Sequence, residues 1–171
     1  MYLRRWGSKN RQCVQERMKE GVKMSEKWLI GTEWSIPSEF GREKRISANI
    51  AKLSGTSSLF GDRLDDMITT VTEACLNALE HGNKLDGRLQ VRVRVQVSDS
   101  RTVYRIFDCG SGFDYAQWEE KRLAAMVAGN KLQEDNPRGW GLKLILSLAD
   151  RVRFGSEAGA FYTEIEFGYD K

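Results

Sequence analysis

Residues 88–97 read RLQVRVRVQV, which puts Leu89, Val91, Val93, Val95 and Val97 on one side of an extended chain. Arg88, Gln90, Arg92, Arg94 and Gln96 fall on the other side. Side chains alternate across a strand, so this stretch needs a sheet with one face in a core and the other in water. An antiparallel sheet covered on one side meets that need, whereas a fully buried parallel strand reads as an unbroken apolar run. Asp99 and Ser100 turn the chain, and residues 102–107 return as a hairpin partner. Residues 28–36 alternate as well, with Trp28, Ile30, Thr32, Trp34 and Ile36 together, and Pro37 stops them. Near the other end, residues 152–154 and 160–167 pair around Gly155 and Gly159, with Phe161, Thr163, Ile165 and Phe167 on one face.

Helical periods fill the intervals. Ser38 is a suitable N-cap for a helix to about Leu53, with Phe40, Ile46, Ile50 and Leu53 inward. Asp62 is placed to cap the helix that contains residues 68–83, ITTVTEACLNALEHGN, and Gly82 to Gly87 end it. Ile68, Val71, Cys75, Ala78 and Leu79 form the apolar stripe of that helix at period 3.6. Residues 115–128 and 142–149 are the remaining helical stretches. The expected class is α+β: a two-layer α/β sandwich, its mixed, mostly antiparallel sheet carrying helices on one face and leaving the other open.

A chain of 171 residues suits one domain. No apolar run reaches bilayer-spanning length, and no short apolar stretch follows the early arginines as a signal peptide requires. Three cysteines, Cys13, Cys75 and Cys109, without CxxC spacing, point to a reducing compartment and to neither a disulfide framework nor a zinc site. The expected location is cytoplasmic, with no membrane association. Residues 1–23 hold seven Lys or Arg against two Glu, a balance of +5 in a chain of net +3, so residues 24–171 sum to −2. A mildly acidic body lacks the electrostatic footprint of direct nucleic-acid binding. Residues 1–23 are expected to be a flexible basic tail, and Met24 is an alternative start, since a well-patterned strand follows it.

Three stretches have the residue types of a polar site. Glu73 and Asn77 lie four residues apart, hence on one helical face, opposite the apolar stripe. There an amide oxygen suits a hard cation and a carboxylate suits a proton, although a plain solvated helix carries such residues too. Residues 108–113, DCGSGF, end a strand with an aspartate and two glycines. Glycines let backbone approach a ligand, and an aspartate accepts from an amine; a Gly-rich turn is the plainer alternative. Residues 138–142, RGWGL, open an apolar helix whose N-terminus offers N–H donors to an anion, with Arg138 adding charge. No GxxxxGK phosphate loop and no dinucleotide fingerprint occurs.

Taken together, ExxxNAxxH on a helix, DxGxGF after a strand and RGxGLxLI entering a helix come in this order, about thirty residues apart. The set resembles the N, G1 and G2 boxes of the histidine-kinase-like ATPase superfamily, which includes sensor kinases, gyrase and the Hsp90 chaperones. Its short stand-alone form, and the wording TEACLNALEHGN, are similar to the anti-sigma factor serine kinases of bacteria. The resemblance covers about Trp28 to Phe167 and implies an ATP-binding domain over residues 24–171, with a lid at about 114–137. It implies Asn77 as the Mg²⁺ ligand and Glu73 as the general base. Asp108 would bind the adenine amine, with Gly110 and Gly112 lining the nucleotide. Arg138, Gly139, Trp140, Gly141 and Leu142 would cradle phosphates, and Thr163 would lie near adenine. His81 is expected to be a structural or nucleotide-pocket residue and not a phosphorylated one. Trp140 is bulkier than the usual residue between the two glycines, and a sensor kinase's phosphoacceptor histidine box is missing.

The implied activity is Mg-ATP-dependent phosphorylation of a serine on an anti-anti-sigma (STAS-type) protein, by a factor that also sequesters a sigma factor. A homodimer is expected, and the surface that binds the sigma factor is expected on the first helix around Arg42 and Arg45. Two alternatives stand beside it: a non-catalytic module that uses ATP only to set its shape, and an ATPase serving an unrelated partner.

Overall fold

In a computed structural model of the protein, which describes residues 27–55, 58–112, 115, 120 and 140–169, the alternating stretches form one five-stranded antiparallel sheet. The strands are β1 (Ile30–Pro37), β2 (Gln90–Val97), β3 (Arg101–Asp108), β4 (Arg151–Glu157) and β5 (Ala160–Gly168), in the order β1-β2-β3-β5-β4. Every pairing is antiparallel, so the mixed component expected of the sheet is absent among the described strands. Among the described elements, the helices α1 (Glu43–Ser54), α2 (Leu64–Asn77) and α3 (Trp140–Leu148) belong to the other layer. The tail at 1–23, the lid helix at 115–128 apart from Tyr115 and Glu120, Arg138 and Gly139 lie outside the described residues.

Register explains the two faces. Val91, Val93, Val95 and Val97 are fully buried, and Tyr104, Ile106, Ile165 and Phe167 extend their layer across β3 and β5. Helix α2 fills the middle of the second layer, with Met67, Val71, Cys75 and Leu79 at zero exposure. Its buried side is wider than the sequence stripe, since Thr70 and Ala74 join it while Ile68 is only half-buried. α2 packs between α1 and α3. Arg63, just before α2, donates to the Leu148 carbonyl at 2.8 Å and pairs with Asp150 at 3.1 Å, which ties the start of α2 to the end of α3.

Three local expectations are corrected. Helix α1 begins at Glu43 and not after Ser38, because the Ser38 hydroxyl is buried and accepts from Asn83 Nδ2 at 2.7 Å. Phe40, on the turn that results, is 62% exposed instead of inward. Asp62 does not cap α2: it lies in a 3₁₀ turn, Ser58–Arg63, and no side chain caps the helix. Asp65 and Asp66 in the first turn satisfy the helix dipole instead.

The C-terminal end of α2 also departs from a plain α-helix. Residues Ala78–Gly82 widen into a π turn, closed by Asn83 N–H on the Ala78 carbonyl at 2.8 Å. Single π turns of this kind commonly mark functional sites. The described helices include none long and apolar enough to cross a membrane.

Candidate functional site

Glu73 and Asn77 stand one turn apart on α2, as their spacing requires, but the side opposite the stripe is not simply solvated. Both residues are half-buried, and the start of α3 lies against Glu73. Gly141, the second residue of α3, touches the Glu73 carboxylate so closely that a methyl group there would overlap Glu73 Oε1. Burial, and secondarily the charge of Glu80, hold the Glu73 carboxyl above the ordinary glutamate value. Neither side chain has a hydrogen-bond partner among the described residues. A carboxylate held toward its neutral form accepts a proton readily, and it sits at the end of a helix where N–H groups point outward.

Asp108 ends β3 on the helix-facing side and is 6% exposed. Its Oδ1 accepts from Gly110 N–H at 2.8 Å. Burial raises its carboxyl above the usual aspartate value, and the Gly110 bond opposes that. The π turn brings Gly82 onto this carboxyl: a side chain at Gly82 would overlap Asp108, and one at Gly110 would come within 2.8 Å of Gly82 Cα. Gly82 and Gly110 are therefore an interlocked pair, needed for close approach and not for freedom of conformation. In the sequence Gly82 reads only as a helix terminator; its place directly after the ExxxNAxxH run is the signal that it does more.

Asn83 has no such signal in the sequence. It is 2% exposed, and its carboxamide accepts from Cys109 N–H at 2.7 Å. It donates to Ser38 Oγ at 2.7 Å and to the Gln90 carbonyl at 3.2 Å.

Thr163 faces the helices one row in from Asp108, since Asp108 is opposite Phe161 and Ile106 opposite Thr163. Gly112 abuts the Phe161 ring. Gly141 and Leu142 are half-buried in the first turn of α3, which Trp140 opens. His81 is exposed on the π turn, and no hydrogen bond or ion pair links it to these groups. Thus the structure gathers Glu73 with Gly141, and Gly82 with Asp108 and Gly110, at two levels of one helix. Arg138 and Gly139 are outside the described residues.

For a cation the donor set is sparse. Among the described residues no three His, Cys, Asp or Glu side chains gather to hold a metal. Asn77 nonetheless fits Mg²⁺, which takes hard oxygen donors and is commonly held by one or two protein oxygens together with waters and substrate phosphates.

Residues 36–165 match the histidine kinase-like ATPase domain family. The serine-protein kinase RsbW of Bacillus subtilis (strain 168) is 32% identical over 110 residues, covering 63% of this chain and 68% of that protein. RsbW of Bacillus velezensis is 31% identical over 130 residues, covering 74% of this chain and 79% of its own. Among solved structures, the RsbU and RsbW domains of a Mycobacterium tuberculosis protein superpose with a TM-score of 0.55 at 14% identity. That likeness is one of fold; it covers 80% of this chain and 31% of the longer one.

Proposed function

The chain belongs to the histidine-kinase-like ATPase family, in its branch of anti-sigma factor serine kinases, and from that premise we propose that it transfers the terminal phosphoryl group of ATP to a serine. The proposed substrate is an anti-anti-sigma domain and the proposed sequestered partner a sigma factor, both implied by the family resemblance. One observation carries the reading: α2 meets the start of α3 at Glu73, and the π turn that continues α2 meets the end of β3 at Gly82, so the three motif stretches converge along one run of chain.

In this mechanism Asp108 accepts the adenine amine, and Thr163 in the neighbouring row lies beside the base. The outward N–H groups at the start of α3, around Gly141 and Leu142, receive phosphate oxygens. Asn77 would hold Mg²⁺ through its side-chain oxygen, and the ion when bound would neutralise charge on the phosphoryl oxygens. Glu73 takes the proton from the serine hydroxyl as the new O–P bond forms and the bond to ADP breaks. Its half-buried position serves that role, because burial strengthens a carboxylate as a base.

Glu73→Gln tests the assignment. The amide keeps the shape and cannot take the proton, so transfer from labelled ATP should fall about a hundred- to ten-thousand-fold. ATP affinity by calorimetry should barely change. In the unsubstituted chain, transfer should fail on acidification with a midpoint above the ordinary glutamate value, since only the ionised base works. Full transfer by the variant would remove Glu73 as the base. Absence of transfer to any co-purifying partner by the unsubstituted chain would favour a non-catalytic ATP-binding module.

A further inference from the structure

We propose that Asn83 is a positioning residue that sets the purine selectivity of the nucleotide site, by clamping the turn that aims Asp108. The proposal rests on Asp108 as the acceptor of the adenine amine and goes beyond it.

The Asn83 carboxamide sits where three segments meet: the turn after β1, the first residue of β2 and the turn after β3. Chemistry fixes its orientation. Cys109 N–H can only donate and the Gln90 carbonyl can only accept, so Oδ1 faces the first and Nδ2 the second. With Ser38 Oγ as a further acceptor, both ends of the amide are used, and the Asn83 and Ser38 side chains are themselves buried. The Cys109 N–H belongs to the peptide that leaves Asp108. Holding it fixes that peptide plane, and with it the direction of the Asp108 side chain. Gly110 N–H then holds Oδ1 of the same carboxylate, which leaves the other oxygen for a ligand.

A carboxylate held rigidly discriminates more sharply than a mobile one. Adenine presents an amine where guanine presents a carbonyl oxygen, so a fixed carboxylate meets a donor in one case and a repelling acceptor in the other. If the turn is released, the carboxylate can swing away from guanine, and the penalty against it shrinks. None of this is readable from the motif, because the clamp joins residues from three separate stretches of chain.

The test measures ATP and GTP affinity by calorimetry on the full chain for wild type, Asn83→Ala and Ser38→Ala. The serine variant loses a buried bond of the same cluster without touching Cys109, and so controls for general loosening. Asn83→Ala should lower the ATP-over-GTP preference about tenfold, the scale of one lost hydrogen bond to a buried group. Ser38→Ala should keep the preference. In the nucleotide-free protein, the Cys109 and Gly110 amides should exchange faster in Asn83→Ala only. Should Asn83→Ala fail to fold, Asn83→Ser carries the same expectations, since its shorter hydroxyl cannot reach Cys109. A folded Asn83 variant with wild-type preference overturns the proposal, as does Ser38→Ala losing preference equally. Wild type that binds no ATP takes down the underlying site assignment as well, whereas wild type that binds ATP with Asn83 variants unmoved sinks the clamp alone.

Discussion

Asp108 is costly where it stands. Its carboxyl is raised above the ordinary aspartate value by burial, so the protonated form favours the folded state and that contribution is lost as pH rises through the folded value. Above that value the protein carries an ionised carboxylate in a nearly closed position. Asp108→Asn keeps an acceptor for Gly110 N–H and removes the charge. We expect it to raise Tm at pH 7 by about 2–4 °C, the shift that about 1 kcal/mol gives a domain of this size. The gain should shrink as pH falls toward acid, where Asp108 itself becomes neutral. Adenine-nucleotide affinity should drop in the same variant, because the amide can turn a donor toward another donor. Thermal melts across pH, read beside calorimetry, check both halves; a variant no more stable and no weaker in binding would make Asp108 an ordinary turn residue. Stability lost to function at one residue is a common feature of binding sites.

At the scale of elements, the site depends on how α3 docks on α2. Ile145 is 1% exposed and anchors α3 in the core, while Arg63 holds its far end through the Leu148 carbonyl. The docked helix leaves no room beside Glu73 at Gly141. Gly141→Ala must therefore push α3 or the carboxylate aside, and a displacement of about 1 Å at a reacting group costs on the order of a hundredfold in rate. Unlike Glu73→Gln, it should weaken ATP binding too, because it disturbs the α3 N-terminus as well as the base. Circular dichroism should stay near wild type. Transfer and ATP affinity both unchanged in Gly141→Ala would mean that the contact is slack in solution.

Across the whole molecule, the open face of the sheet carries paired charges, and among the described residues no second layer covers it. Arg94 joins Glu33 and Glu157, and Arg105 joins Glu157 and Glu164. Phe107 points to this face yet is only 1% exposed, because Arg92 and Arg94 lie over its ring at 4.7 and 4.9 Å. Most of these pairs are partly solvated, so each adds little stability and salt should weaken them only modestly. Ligand linkage should dominate instead. Mg-ATP at about a hundred times its Kd adds about 2.7 kcal/mol, or a rise in Tm of roughly 5–10 °C. A chelator should remove most of that rise. An equal rise without Mg²⁺ would leave Asn77 with no metal to hold.

Much of this was legible in the chain because it depends on local period. Alternation at 88–97 requires a sheet with one wet face, and the 3.6 period of α2 places Glu73 beneath Asn77, whatever surrounds them. The order of the three motifs pointed to the family for the same reason, since each motif is short and contiguous. What the sequence could not determine depends on which segments meet. Ser38 and Asp62 look like caps, but capping is a competition, and Ser38 is taken by Asn83 from 45 residues away. Gly82 reads as a terminator until the π turn lays it on Asp108, and Asn83 looks like an ordinary polar residue until three chain segments close around it. Period is a property of neighbours along the chain, whereas close approach and shared hydrogen bonds are properties of neighbours in space, and only the folded structure supplies those.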